Sequence, residues 1–108
     1  MTRGDLVTVA IPGDIGKPRP ALVIQADQFH VQATRTLLPV TSTLVAAPLF
    51  RITLEPSAET GLMKPSQVMV DKAMTVKRDK VGPVFGRIDL DKLVEVERAL
   101  AVFFGIAK

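Results

Sequence analysis

Phe50-Arg51-Ile52-Thr53-Leu54-Glu55 alternates strictly between apolar and polar side chains, and successive side chains of an extended chain point to opposite faces. The hexapeptide therefore reads as a half-buried strand. After it, Pro56 to Gly61 is a turn-rich connection, and Gln67 to Asp71 and Met74 to Lys77 read as two more short strands. Before it, Thr36 to Val40 reads as a strand in which Pro39 marks an edge or a bulge. Ala21 to Ile24 is continuously apolar, the signature of a central strand. Asp5 to Ile11 sets Val7, Val9 and Ile11 on one face. Between these last two, Pro12-Gly13-Asp14-Ile15-Gly16 is dense in turn formers, and Lys17-Pro18-Arg19-Pro20 extends the loop. The two prolines restrict the backbone around Arg19 and so pre-position its side chain. Gln28 to Thr34 is polar and irregular, with room for a single helical turn.

The last element changes period. Leu93, Val94, Val96, Leu100, Phe103 and Phe104 form a helical stripe, with Asp89 suited to the N-cap, Asp91 to the first turn and Gly105 to the stop. The pattern is mainly β with a C-terminal α-helix, roughly five to seven short strands. At 108 residues the chain makes one domain over 1–108, without room for a second core.

Composition narrows the chemistry. There is no cysteine, which excludes disulfides, thiolate metal sites and thiol nucleophiles. His30 is the single histidine, so no pair of histidines can hold a metal. No tight acidic cluster appears, and ordinary side chains acting without metal or cofactor are expected. The formal net charge of +3 is a mild bias toward polyanions, equally compatible with a basic domain of another kind. No secretion signal is visible. The longest uncharged run, Thr36 to Phe50, falls short of the ~20 residues of a spanning helix and holds two prolines, so the cytoplasm and no membrane contact are expected.

Three segments stand out together. The first is Arg3-Gly4-Asp5-Leu6-Val7 followed by Lys17-Pro18-Arg19-Pro20-Ala21-Leu22-Val23-Ile24. The second is Leu38-Pro39-Val40-Thr41-Ser42. The third is Gly61-Leu62, Pro65-Ser66-Gln67-Val68 and Asp71-Lys72. In this order and spacing they resemble the MazF/PemK family of toxins along nearly the whole chain. The resemblance implies an SH3-like small β-barrel with a C-terminal helix, acting as a homodimer. It further implies the toxin of a type II toxin–antitoxin system, a sequence-specific, metal-independent endoribonuclease that leaves 5′-hydroxyl ends and is inhibited by a cognate antitoxin.

In such toxins the arginine of the Arg-Pro motif and the hydroxyl of the Pro-x-Thr-Ser motif are the usual catalytic pair, and here they fall on Arg19 and Thr41. Cleavage of RNA through its own 2′-OH builds negative charge on a pentavalent phosphorus, to which a guanidinium offers fixed donors and permanent charge. A base must also take the 2′-OH proton, a task unsuited to arginine, which stays protonated. Asp71 matches an acidic position of the third motif and is the candidate. Some members carry an arginine two residues before that acid, where this chain has Met69. The loop from Pro12 to Gly16 is shorter than in many relatives.

The implied RNA contacts are Lys17 and Ser42 beside the motifs, and Lys72, Lys77 and Arg78 in a basic stretch that continues to Lys80 and Arg87. A groove lined by loops 12–20 and 41–48 is the expected place for RNA and for an acidic, partly disordered antitoxin segment. Plainer readings stand beside these. Arg19 has the alternative of an ordinary surface arginine, Thr41 of a turn cap, His30 of an unremarkable loop residue instead of a base, and the basic stretch of a solvated face. Phe103-Phe104-Gly105-Ile106 also resembles the tail with which CcdB, a toxin of the same fold, poisons DNA gyrase. A catalytically inactive antitoxin-binding module is the third alternative.

Overall fold

The alternation at 50–55 forms a strand, and six others join it. In the computed structural model, which describes residues 1–11 and 17–108, the strands are β1 (Asp5–Val9), β2 (Arg19–Val23), β3 (Thr34–Thr41), β4 (Arg51–Leu54), β5 (Ser66–Met69), β6 (Met74–Lys77) and β7 (Val81–Arg87). Helix α1 (Leu90–Phe103) follows them. The architecture is mainly β with a C-terminal helix. The turn-rich stretch Pro12 to Gly16 lies outside the described residues.

The sheet is antiparallel and runs β4-β5-β3-β2-β1-β7, with β6 attached to β3. β3 is the shared strand. Along one side it meets β2. Along the other its first half pairs with β6, from Thr34 to Leu37, and its end pairs with β5, at Val40 and Thr41. Pro39 falls in the gap between those two partners. A residue without an N–H is tolerated there, because that length of edge has no strand to receive a ladder bond.

Among the described residues β4 and β7 end the sheet without pairing to each other. The segment after β4 bridges them instead, for the Arg87 amide donates to the Glu59 carbonyl at 2.8 Å. The sheet thus curls toward closure through a loop in place of a strand pair. β7 was not legible as a strand, since Val-Gly-Pro-Val-Phe-Gly-Arg neither alternates nor avoids breakers. As an edge strand it tolerates Pro83, and its pairing with β1 shifts register twice. Its Gly86 is required by contact: a Cβ there would lie 1.9 Å from the Thr60 carbonyl oxygen.

The three central strands are covered on both faces, which accounts for the unbroken apolar run of β2. Leu6, Leu22, Leu38 and Val68 join Leu93, Val96 and Ala99 of α1 in one cluster. Val7, Val9, Ala21, Val23 and Leu37 form the other, closed over by Met74, Val76 and Val81. Each fully buried side chain of this kind contributes about 1.5–3 kcal/mol. The helix begins where the N-cap signal places it, with Asp89 Oδ1 accepting from the Lys92 amide at 2.8 Å. It stops before Gly105, whose φ is +75°. The apolar stripe runs out before the helix does: Phe103 and Phe104 are exposed and pack edge to face on each other.

Arg3-Gly4-Asp5 locks the start of the chain. The buried Asp5 carboxylate accepts from the Thr2 amide at 2.7 Å and from Arg87 Nη1 at 2.5 Å. Arg3 pairs with Glu97 of α1 and donates through Nε to the Ile24 carbonyl at 3.0 Å. Among the described residues no helix is long and apolar enough to cross a membrane.

Candidate active site

Strand register brings the first two motifs together. Ala21 faces Pro39 and Leu22 faces Leu38 across β2 and β3, so continuing that register two residues sets Arg19 opposite Thr41. Both lie at strand ends, where the chain leaves the sheet. They line one groove of about 350 Å³, with Pro20 and Pro39 between them and Ser42, Thr43, Ser66 and Met69 along the wall. Of the expected lining loops, residues 17–20 and 41–43 are therefore represented by Arg19, Pro20, Thr41, Ser42 and Thr43, while 12–16 lie outside the described residues.

Thr41 does cap a turn: its Oγ1 accepts from the Thr43 amide at 3.1 Å. That bond uses one acceptor site and leaves the hydroxyl proton to donate. The turn cap and a phosphate contact are therefore compatible roles for one hydroxyl. Ser66, buried in the wall, donates to the Lys64 carbonyl at 2.9 Å. Arg19, the first residue of β2, is exposed.

Asp71 stands apart from this group. The expected strand Gln67 to Asp71 ends at Met69, and Val70–Lys72 form a short 3-10 turn with Val70 buried. Asp71 Oδ1 lies 3.3 Å from Arg51 Nε, and these two side chains are only 19% and 12% exposed. Arg51 also stacks against Phe50, its guanidinium carbon 5.8 Å from the ring centroid. Residue alternation had placed Arg51 on the polar face of its strand; its pairing with Asp71 was not visible there, because it depends on the turn after β5.

The expected RNA contacts are divided. Ser42 lies in the groove. Lys77 and Lys80 line a second depression of about 490 Å³ with Ala10, Ile11, Thr75 and Val76, and the two hollows share Ile11. Arg78 lines a third, with Lys77 and Asp79. Lys72 is exposed, its Nζ 3.8 Å from Asp71 Oδ2, and Lys17 is exposed just before β2. His30 lies away from the groove, its Nδ1 2.7 Å from the Asp27 carbonyl oxygen.

Gln67 belongs to the third motif, where the sequence alone assigns it no role. It faces Thr41 on one side and Thr53 on the other. Its side-chain amide is bonded to both backbone groups of Val45, accepting from the amide and donating to the carbonyl, each at 3.0 Å.

With this geometry in place, the relatives are informative. A family model described as PemK-like, MazF-like toxin of type II toxin–antitoxin system matches residues 2–104. The chain belongs to this family. It is 45% identical over 108 residues, 99% of either chain, to a probable endoribonuclease MazF of Mycolicibacterium smegmatis. Among solved structures it is similar to the MazF of a MazE-MazF crystal structure from Deinococcus radiodurans, at 27% identity and TM-score 0.81, covering 99% of this chain and 98% of that one. The fold is shared with the Mycobacterium tuberculosis toxin MazF-mt6, at TM-score 0.82 and 18% identity, covering 96% and 99%. Family membership disfavours gyrase poisoning, although Phe104 and Ile106 are exposed as a tail contact would need.

Proposed function

We propose that this chain is a ribonuclease toxin that cuts single-stranded RNA at specific sequences by attack of the RNA's own 2′-OH, without metal. The observation that carries this reading is the register that places Arg19 and Thr41 in one groove. In the reaction the 2′ oxygen bonds to phosphorus and the P–O5′ bond breaks, giving a 2′,3′-cyclic phosphate and a 5′-hydroxyl end. The guanidinium of Arg19 stabilises the charge that develops on the phosphoryl oxygens, and the Thr41 hydroxyl orients them. A base and an acid complete the proton transfers. Ser42, Lys17 and the lysines of the adjoining hollow hold the phosphate backbone on either side, by charge more than by base reading.

Long RNA of defined sequence, incubated with the protein in excess EDTA beside Arg19→Ala, tests the reading. Discrete cuts with 5′-hydroxyl ends are expected for the wild type. RNA left intact across several sequences would overturn the activity. Thr41→Ala is expected to lose less than Arg19→Ala, roughly tenfold, because it removes one hydrogen bond from an uncharged donor to the phosphate, worth about 1.5 kcal/mol. Wild-type rates in Thr41→Ala would leave that residue as a turn cap only.

Asp71 serves this reading as the support of Arg51, and neither residue lines the groove. A general base contributes about 10²–10⁴-fold, so Asp71→Asn is expected to keep cleavage within about tenfold of wild type while lowering the unfolding midpoint. A folded Asp71→Asn variant slowed by more than that would return the carboxylate to the chemistry.

The partners follow the family. The cognate antitoxin is expected to block the Arg19 groove with an acidic segment drawn to its cationic rim, so that adding antitoxin stops cleavage. An antitoxin that binds and leaves the rate unchanged would place its contact elsewhere. The active form in this proposal is a homodimer, the commonest assembly of small symmetric proteins. Light scattering that reports a monomer at active concentrations would remove it.

A further inference from the structure

We infer that Gln67 is a positioning residue for cleavage, a latch that holds the segment from Ser42 to Phe50 and with it the Thr41-Ser42-Thr43 wall of the groove; the inference rests on the ribonuclease reading of that groove. The segment joins β3 to β4, and β5 lies between those two strands. Gln67 sits in the middle of β5, opposite Thr41 and Thr53, and only 7% of its surface is exposed. Its amide engages both backbone groups of Val45, and Nε2 also lies 3.5 Å from Thr53 Oγ1.

A side-chain amide that accepts from one N–H and donates to the C=O of the same residue imitates the pairing of a neighbouring strand. The segment therefore gains a rung of sheet without adopting strand geometry. Thr43 is held separately by the Thr41 hydroxyl, so the wall is fixed at two points, Thr43 and Val45, two and four residues along from Thr41. Leu44 and Val45 are exposed, so their side chains contribute little burial to hold the segment. Phe50 secures the far end by packing on the core and accepting from the Val70 amide. At the groove end the hydrogen bonds of Gln67 carry that task, and a buried amide has no water to replace them.

Removing the latch lets the wall move relative to Arg19. Misplacement of about 1 Å at a reacting group costs up to about 10²-fold in rate. The loss falls mainly on kcat, because, of the proposed phosphate contacts, only Ser42 belongs to the wall, while Lys17 and the lysines of the adjoining hollow lie outside it.

The test uses Gln67→Met, of similar size with neither bond, and Gln67→Glu, with the acceptor kept and the donor lost at neutral pH. Thermal unfolding of both shows that they are folded. Gln67→Met is expected to lower kcat by roughly tenfold to a hundredfold, with KM changed much less, and to speed amide hydrogen exchange within 42–50 but not in β3 or β5. Gln67→Glu is expected to be slow at neutral pH, where its carboxylate faces the Val45 carbonyl. Relative to wild type it should recover as pH falls toward the ordinary glutamate pKa of about 4.3, where the protonated acid regains a donor. A general loss of stability would not produce that pH-dependent rescue. Wild-type cleavage matched by Gln67→Met, or unchanged exchange at 42–50, overturns the latch and leaves the ribonuclease reading standing. A wild-type protein that cuts no RNA overturns that reading, and the role of Gln67 in it.

Discussion

Arg19→Ala is expected to reduce RNA cleavage by at least about 10²-fold, the cost of removing one preorganised charge-stabilising donor, while leaving the unfolding midpoint near that of the wild type. Arg19 is exposed at the end of β2, so its truncation uncovers no core surface. The lysine variant sharpens the test. Arg19→Lys keeps the charge but replaces a planar fork of donors with a compact ammonium on a flexible stem, and its recovery should be small. Rates measured on one mapped cleavage site in EDTA, for the three proteins side by side, decide the matter. Full activity in Arg19→Ala would remove the residue from the chemistry. Full recovery in Arg19→Lys would reduce its role to that of a point charge.

The second large effect is on stability. Gly86→Ala places a methyl group 1.9 Å from the Thr60 carbonyl oxygen and 2.9 Å from that of Glu59, and neither atom is the far end of a flexible side chain. Either β7 or the 55–62 segment must move, and the Arg87 to Glu59 hydrogen bond is the first to stretch. Overpacking of this kind costs about 1–3 kcal/mol, and a backbone clash belongs at the upper end. In a domain of this size each kcal/mol moves Tm by several degrees, so differential scanning calorimetry reads the change easily. A Gly86→Ala protein melting with the wild type would show that the segment lifts off β7 freely and does not secure the sheet.

The fold was largely legible because its strands follow period two and its helix carries a cap, a stripe and a stop. What alternation could not reveal was β7, where Gly82, Pro83 and Gly86 break the pattern for reasons that lie in Thr8 and Thr60, far along the chain. The helix stripe was read too far, since periodicity counts Phe103 and Phe104 as apolar without knowing where the sheet beneath them ends. At the site, the motif residues Arg19, Thr41 and Ser42 do come together. Asp71, the acidic position of the third motif, is not among the residues that line the groove, and the turn at 70–72 sets it beside Arg51. Gln67 stands in the third motif, but no role could be read for it there, because an uncharged amide inside a strand does not show what it bonds. Its role exists only once the 42–50 backbone is folded beside it.

The pairing of β1 with β7 also sets a schedule for synthesis. One edge of the first strand pairs early with β2, but the other waits for residues 81–87, and the Asp5 carboxylate waits for Arg87. Contacts so distant along the chain form slowly, because the loop between them must be closed before they gain anything. While the chain is still leaving the ribosome, β1, β2 and β3 can pair and the two ends of the groove exist, but β1 keeps one open edge and Asp5 lacks its Arg87 partner. The groove is built early and the outer edge of β1 is covered late, so a chain interrupted before residue 81 has the groove's lining residues but leaves β1 unpaired on one side.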